Sequence, residues 1–377
     1  MGELSSHSNV LIPSETSSQR PQSALANPLL NEHRVAEMLN RPVNIGEILN
    51  PVQQGLQEVE KKMRTVDSSL FAPLSNALID LIGSGGKRVR PALALFSARF
   101  NGELDDTTYQ AVLSVAASVE MLHTASLVHD DVIDGALLRR GSPTLNAEWG
   151  AGSTTLAGNY MFGRAAHFSS ETQNMQVINI FTETLNVMVE GELRQIAQRF
   201  EFAQERESYY QRIYAKTASL FCAATEPAAI LTGLSEPVRK ALYDYGYHLG
   251  MAFQMIDDVL DFSGDESTLG KPAGSDLRQG TVTLPLFYYI QEQPNPSEFI
   301  HYLTERREEA YRKGESLWNE TVDELVQAIC KSNAMDAARA EAYSYLLTAQ
   351  DSLMALPDNV ARQSMLELGS FVVQRSH

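Results

Sequence analysis

Two short acidic patterns in the chain have the residue types and the spacing of a metal site. Each reads Asp-Asp-x-x-Asp, and the six carboxylates are those of Asp130, Asp131, Asp134, Asp257, Asp258 and Asp261. In a helix, the first and last aspartate of each pattern lie one above the other on one face, where like charges are destabilising unless a cation stands between them. Hard oxygen ligands suit Mg²⁺, which completes its coordination shell with water and phosphate oxygens.

A single pattern of this kind is explained equally well by a solvated, acidic helix face. The second copy weakens that explanation, because both copies follow apolar helical stretches, HTASLV and LGMAFQM, that predict an inward orientation. Inward carboxylates without a cation are energetically costly. We therefore predict two facing acidic helices that hold two or three Mg²⁺ ions around a diphosphate.

Basic residues that could bind phosphate occur at four or more places along the chain. One place is the segment GSGGKRVRP, where a glycine run precedes a predicted helix start whose backbone N–H groups favour anions. The cations of this segment and of the other places are Lys87, Arg88, Arg90, Arg139, Arg140, Lys216, Lys271 and Arg278. A lone basic turn is more often simply solvated, but this set beside two metal motifs predicts a protein that holds two diphosphates.

The composition limits the partners and the location of the protein. The 377 residues are 44% hydrophobic and carry a formal net charge of -17, which excludes a domain-wide basic surface for nucleic acid. Cys222 and Cys330 lie in apolar helical contexts and predict buried free thiols in a reducing compartment. Apolar runs end well short of the roughly 18 residues of a membrane span, and no secretory signal pattern is visible. We predict a cytoplasmic protein without a membrane span.

The apolar periodicity is helical over almost the whole chain. Residues 111–134, for example, carry apolar side chains at close to helical spacing, and no alternating strand pattern bounded by Asn-Gly or Asp-Gly occurs. Residues 1–45 are rich in Ser, Asn and Pro without a sustained period, and they predict a disordered N-terminal tail. Residues 46–377 are predicted to form one all-α catalytic domain.

Six motifs follow one another in order: GGKRVRP, LHTASLVHDDVIDGALLRRG, EGELRQ, AKTASLF, GMAFQMIDDVLDF and GKPAGSDLRQGTVTLP. As an ordered set they resemble the trans-isoprenyl diphosphate synthases, the polyprenyl synthetase family, from about residue 56 to the C-terminus. The resemblance implies an all-α fold, a single large bundle of antiparallel helices around a deep central cavity (the type I isoprenoid synthase fold), assembled as a homodimer. It also implies the head-to-tail condensation of isopentenyl diphosphate with an allylic diphosphate, such as farnesyl or geranylgeranyl diphosphate.

The resemblance further implies a role for individual residues. The six aspartates would be magnesium ligands, with Asp261 acting through water. The implied contacts to the allylic diphosphate are Arg139, Lys216 and Lys271. The positions that match binding of the isopentenyl diphosphate are Gly86, Lys87, Arg90, His123 and Arg140. Thr217 and Gln254 match polar residues of the reaction centre. The departed diphosphate takes the final proton, so that no side-chain base is required.

The residues before the first acidic motif predict the length of the product. In the family, the growing tail runs from that motif back along its own helix, and bulky residues one turn away limit it in short-chain enzymes. Here Ser126 and Ala125 are small, and Leu122 stands about two turns back. We predict a product of C30–C50. The alternative floor of the tunnel is a residue of another helix, such as Met161, Phe162 or Phe181.

Two positions depart from the family pattern, and two alternative functions stay open. Thr281 stands where many relatives have Lys, and Asn159 stands where relatives commonly have Asp. Tyr209 and Tyr210 are predicted to pack in the core. The alternative functions are a shorter-chain geranylgeranyl or farnesyl diphosphate synthase and a non-catalytic partner subunit, although such subunits usually lose aspartates that this chain keeps. A peripheral membrane contact during product release is also left open.

Overall fold

The computed structural model describes residues 28–40, 42–66, 69–83, 85–139, 141–263 and 272–374. These residues are almost entirely helical. Their strands are one short antiparallel pair, Leu138–Arg139 (β1) and Ser142–Pro143 (β2). The predicted all-α fold is confirmed.

The helices of the described residues differ widely in length, and the longest ones carry the acidic motifs. In chain order they are α1 (Pro28–Asn40), α2 (Ile45–Leu49), α3 (Gln53–Arg64), α4 (Ala72–Gly83), α5 (Val89–Ser97), α6 (Asp106–Ile133), α7 (Leu145–Glu171), α8 (Met175–Ala197), α9 (Arg206–Ile213), α10 (Ser219–Leu231), α11 (Glu236–Ser263), α12 (Ser275–Arg278), α13 (Leu284–Glu292), α14 (Pro296–Lys313), α15 (Ser316–Lys331), α16 (Ala334–Leu353) and α17 (Val360–Gln374).

Helix α6 lies at the centre of the molecule. The side chain of Asp105 caps its N-terminus by accepting a hydrogen bond from the backbone N–H of Thr108 at 2.9 Å. Most of the helix is apolar on all sides, as expected of a buried helix, and it packs against α5, α7 and α10. It ends at Ile133 with Asp134 as its C-cap, and Gly135 then turns the chain at φ +63°. The first acidic motif therefore occupies the C-terminal end of the central helix.

Helices α9 and α10 form one run that is joined by a π-helical turn, Tyr214–Ala218. Helix α11 approaches this turn closely, because Gly250 has no side chain there. A Cβ atom at position 250 would lie only 2.5 Å from the Cα atom of Ala218. Turns of π-helix occur frequently at functional sites. This close approach brings Thr217 of the turn against Gln254, one helical turn beyond Gly250.

Helix α6 is also the one helix of the described part of the chain that is long and apolar enough to cross a bilayer. Of its most apolar window, 72% is buried inside the protein. The core helix of a helical bundle is buried in this way. Length and composition alone do not distinguish a core helix from a membrane-spanning helix.

Residues 1–27 lie outside the described residues, so the predicted disordered tail over residues 1–45 stays a prediction. Within that range the structure has α1, whose Arg34 pairs with Asp351 of α16 at 2.7 Å. The prediction of two buried thiols is wrong for Cys330, which is exposed, whereas Cys222 is buried. Cys330 follows the fully buried Ile329, and one residue step rotates a helix by about 100°, so the thiol lies on the neighbouring face.

Candidate active site

The first acidic cluster lies at the C-terminal end of α6, where the helix dipole is already negative. Burial raises the pKa of Asp130 to about 6, and the Asp134 carboxylate adds to that effect. Burial also raises the pKa of Asp131, although Arg139 opposes it by donating from Nε to Oδ1 at 2.9 Å. Asp134 accepts a hydrogen bond from Nη2 of Arg199 at 3.1 Å. Local cations thus offset part of the crowded negative charge.

The second acidic cluster lies near the C-terminal end of α11 and is more deeply buried. The Asp258 carboxylate accepts hydrogen bonds from the Tyr209 hydroxyl at 2.8 Å and from Nε2 of Gln254 at 2.9 Å. Burial raises the pKa of Asp258 to about 7. Asp261 is buried, and its Oδ2 accepts from the backbone N–H of Asp276 at 3.1 Å, whereas Asp257 is half-buried. Neutral donors thus hold the carboxylates of Asp258 and Asp261 in place.

Lys216 interacts electrostatically with the first acidic cluster. It lies in the π-helical turn, where its side chain reaches solvent although protein surrounds it on most sides. Desolvation acts to lower the pKa of Lys216, but the carboxylates of Asp130 and Glu192 outweigh it and the pKa is raised. Beside Lys216, Thr217 donates from its hydroxyl to Oε1 of Gln254 at 2.6 Å. The predicted residues Lys216, Thr217 and Gln254 are therefore brought together with both motifs.

The glycine-rich segment before α5 forms an irregular loop rather than the first turn of the helix. Gly85 has φ +87° and Arg88 has φ +49°, and α5 begins at Val89. Lys87 lies 4.8 Å from the ring centroid of Phe371 on α17, and Arg90 lies 5.0 Å from that of Phe221 on α10. The guanidinium of Arg88 pairs instead with the buried Glu120 of α6 at 2.8 Å. Arg88 thus ties the loop to α6.

Of the remaining predicted binding residues, the structure describes some and leaves two outside the described residues. Gly86 belongs to the same loop and is exposed, and His123 is half-buried on α6, two turns before Asp130. Arg140 and Lys271 lie outside the described residues, so their roles stay predictions. Of the two departures, Asn159 is exposed on α7 and Thr281 is half-buried after α12.

The donor set fits Mg²⁺ that is shared with a substrate phosphate. Among the residues that the structure describes, no three His, Cys, Asp or Glu side chains converge closely enough to hold a metal ion by themselves. Magnesium usually takes one or two protein carboxylates and fills the other positions with water and phosphate oxygens. Desolvated carboxylates in two separate clusters match that mode of binding.

An apolar cavity lies along α6, beginning about two helical turns before Asp130. The α6 side chains of its wall are Val115, Ser118, Val119 and Leu122, and the other helices contribute Ser169, Val177, Ile180, Phe181, Ala223 and Pro227. Lining positions on α6 recur every three or four residues, and the same stripe continues through Ala125 and Ser126 to Asp130. From Asp130 to Val115 the helix rises by about 22 Å.

The chain is similar to known proteins over most of its length. The polyprenyl synthetase family model matches residues 72–321. Heptaprenyl diphosphate synthase component 2 of Geobacillus stearothermophilus is 36% identical over 322 residues, which cover 85% of this chain and 96% of that protein. Octaprenyl diphosphate synthase of Haemophilus influenzae is 33% identical, with 85% and 98% covered. A crystal structure of polyprenyl synthase from Caulobacter crescentus, complexed with calcium and isoprenyl diphosphate, is 34% identical and has a TM-score of 0.76, with 90% and 100% covered.

The chain belongs to the polyprenyl synthetase family. As a polyprenyl synthetase, the protein is a prenyltransferase that condenses isopentenyl diphosphate head-to-tail with an allylic diphosphate. The predicted family, fold class and type of reaction are confirmed.

Four residues of this polyprenyl synthetase site were missed by reasoning from the sequence: Glu192, Arg199, Tyr209 and Arg212. Tyr209 is buried as predicted, but its hydroxyl in addition donates to Asp258. Glu192 lies in the quoted motif EGELRQ, which was the available signal for it. Arg199 follows the motif EGELRQ by four residues and Arg212 precedes AKTASLF by three, but neither belongs to a quoted motif.

Proposed function

We propose that the protein extends an allylic diphosphate, such as farnesyl or geranylgeranyl diphosphate, to all-trans products of C30–C50. The observation that carries this proposal is the apolar cavity along α6, whose lining begins at Leu122, about two helical turns before Asp130. The diphosphate would bind at the carboxylates, and the tail would run past the small side chains of Ser126 and Ala125. The hepta- and octaprenyl products in the names of the two relatives support the same range.

Two or three Mg²⁺ ions would be held by the six aspartates, with Asp261 acting through water. When bound, the ions would supply Lewis-acid stabilisation of the leaving diphosphate. Burial raises the pKa of Asp130 and of Asp258, so both carboxylates favour a nearby cation that keeps them ionised. The calcium in the complex from Caulobacter crescentus is consistent with a divalent-cation site in the family.

Cationic and polar side chains of the protein would bind the two diphosphates and orient the reaction centre. Lys216, Arg139 and Lys271 would stabilise negative charge on the allylic diphosphate as its bond to carbon breaks. Thr217 would orient Gln254 at the reaction centre, because Gln254 is held between Thr217 and Asp258. The diphosphate of isopentenyl diphosphate would bind at Gly86, Lys87, Arg90, His123 and Arg140.

The reaction is tested by pyrophosphate release from the isolated protein with isopentenyl and farnesyl diphosphate, with and without Mg²⁺. We expect turnover that is lost on chelation of the metal. The absence of turnover with every allylic primer would favour the non-catalytic partner subunit. It would also fit a chain that needs a second component, as the name of the Geobacillus relative suggests.

Product length is tested by reverse-phase chromatography of the polyprenyl products. Ser126→Phe and Ala125→Phe place a large ring in the stripe just before Asp130, and we expect them to shorten the product to C15 or C20. Ser126→Ala keeps the position small and should leave the product distribution unchanged. Phe181→Ala should lengthen the product if this ring forms the floor, whereas its exposed neighbour variant Thr182→Ala should not. A wild-type product of C20 or shorter would contradict the proposed range.

We also propose that two copies associate through α7 and α8. Both helices expose large apolar side chains, of which Leu156 and Leu193 are 70% and 63% exposed. Exposed apolar groups clustered on neighbouring helices are typical of an interface. Light scattering of Leu193→Glu should show monomers, while Met354→Glu, which alters an exposed apolar residue elsewhere, should stay dimeric.

We also propose that the protein is cytoplasmic.

A further inference from the structure

The turn after α8 contains a phenylalanine in an unusual backbone conformation. Phe200 has φ +65°, in the left-handed region that a bulky residue rarely adopts. Two side chains hold its ring. The guanidinium carbon of Arg307 on α14 lies 3.9 Å from the ring centroid, and Trp318 of α15 packs edge-on against the ring with 5.9 Å between centroids. Backbone strain of this kind persists only where the surrounding structure enforces it, and it is concentrated at functional sites.

The backbone of Phe200 contacts the loop after α12. Its N–H donates to the carbonyl of Gly280 at 2.9 Å. Gly280 is buried and has φ +83°, and a Cβ atom at this position would lie 2.6 Å from both the backbone nitrogen and Cγ of Phe200. The absence of a side chain at position 280 therefore permits this close approach. Trp318 supports the same loop, because its Nε1 donates to the carbonyl of Arg278 at 3.2 Å.

The turn after α8 and the loop after α12 each lead to one acidic cluster. On the side of the turn, Arg199 directly precedes Phe200 and donates from Nη2 to Oδ1 of Asp134 at 3.1 Å. On the side of the loop, the backbone N–H of Asp276 in α12 donates to Oδ2 of Asp261 at 3.1 Å. The contact between turn and loop therefore lies on a continuous path from the last aspartate of the first motif to the last aspartate of the second.

We propose that Phe200 is a positioning residue that couples the two acidic clusters. Its left-handed backbone directs the N–H to Gly280 while the preceding Arg199 reaches the first motif, and its ring is locked by Arg307 and Trp318. The clusters are thereby held in fixed positions relative to each other, so that both bind one Mg²⁺–diphosphate. The inference rests on the proposed function, because it concerns the alignment of that same site.

The first test compares two phenylalanines in the full-length protein, with Mg²⁺ and inorganic pyrophosphate as the probe. The readouts are the Tm without the probe and the probe concentration that gives half of the maximal rise in Tm. We expect Phe200→Leu to raise that concentration about tenfold or more and to lower the Tm only slightly, since the ring is half-buried. The matched control is Phe202→Leu, whose ring also packs against Trp318 but is only 2% exposed. This variant should lower the Tm more and leave the concentration unchanged.

The second test breaks the same contact from the loop. Gly280→Ala adds a methyl group that collides with Phe200, and we expect a similar rise in the half-maximal probe concentration. The matched control is Gly233→Ala. Gly233 also has a left-handed φ, +66°, but apart from its chain neighbours no atom of the described residues lies within 4 Å of the added methyl group. Gly233→Ala should therefore lower the Tm without changing the concentration.

The double variant of Phe200→Leu and Gly280→Ala should be no more impaired than the worse single variant, because both changes remove one contact. Two results would overturn the inference: Phe200→Leu binds the probe like the wild type, or the effects of the single variants add in the double variant. If Phe200→Leu does not fold, Phe200→Gly takes its place, since glycine adopts a positive φ without strain but lacks the ring. The same weakening is expected, and binding like the wild type would again overturn the inference.

Asp130→Asn separates a failure of this inference from a failure of the proposed function. If the probe does not stabilise even the wild-type protein, the proposed magnesium–diphosphate site is wrong, and the inference fails with it. If Asp130→Asn loses the stabilisation while Phe200→Leu keeps it at the wild-type concentration, only the role of Phe200 fails.

Discussion

The two acidic motifs share one sequence pattern but differ in what surrounds them. In the first motif, Asp131 and Asp134 pair with Arg139 and Arg199, which are partly exposed. In the second motif, Asp258 is buried and accepts hydrogen bonds from neutral donors, the Tyr209 hydroxyl and the Gln254 amide. Partly exposed cations thus pair with two carboxylates of the first cluster, whereas neutral donors hold Asp258 in the second.

This difference predicts that the two clusters tolerate the removal of a single contacting side chain to different degrees. Ion pairs near the surface are screened by water and salt, so that removal of one cation costs little. A buried carboxylate that loses a hydrogen-bond donor is destabilised, because the lost hydrogen bond had offset the free-energy cost of its desolvation. The second cluster should therefore depend more strongly on each of its supporting side chains, although both clusters are needed for the reaction.

The largest effect is expected when either cluster loses a carboxylate. Asp130→Asn and Asp257→Asn should each lower kcat/KM by about 10³-fold, because each removes charge that would hold the cation at the leaving diphosphate. The value of kcat/KM is measured by pyrophosphate release at saturating Mg²⁺. The control is Asp336→Asn, because Asp336 is exposed. A variant that keeps near-wild-type activity would show that one motif is dispensable.

Tyr209→Phe comes next, because it removes one donor from Asp258 and changes little else. We expect the Mg²⁺ concentration for half-maximal activity to rise by about 10- to 100-fold, with a smaller change in kcat at saturating Mg²⁺. Tyr210→Phe is the matched control, since its hydroxyl donates to Glu341 and not to the acidic cluster. Equal effects of the two variants would mean that Tyr209 acts only through packing.

Arg139→Gln tests the corresponding contact in the first cluster. We expect KM for the allylic diphosphate to rise by about tenfold or less, since the guanidinium is partly exposed and water can replace its bond to Asp131. Arg139→Lys should retain most of the affinity because the charge remains. If Arg139→Gln proved more harmful than Tyr209→Phe, the contrast between the two motifs would be reversed.

The smallest effect is expected for Arg199→Gln, which removes the partner of Asp134. An ion pair between partly exposed groups contributes about 0–1 kcal/mol, or at most about a fivefold change in kcat/KM. The difference from the wild type should shrink further at high salt. A larger loss that persists at 1 M salt would indicate that Arg199 contacts the substrate.

Much of this protein could be predicted from local pattern. The apolar period of α6, the Asp-Asp-x-x-Asp spacing and the small residues Ala125 and Ser126 each lie within a few helical turns, where geometry follows directly from sequence. The thiol of Cys330 shows the limit of such reasoning, because one residue step in α15 turns the side chain from the core to the surface.

The sequence by itself determined the helical class, the six carboxylates and their need for a cation, since these depend on residue type and on spacing within one helix. Only the tertiary structure decided which groups hold those carboxylates. Tyr209 and Asp258 are separated by 49 residues, and Arg212 reaches the carbonyl of Val282 across 70 residues. Such contacts arise from the packing of α9 against α11 and the following loop, and no local period encodes the distance between two helices.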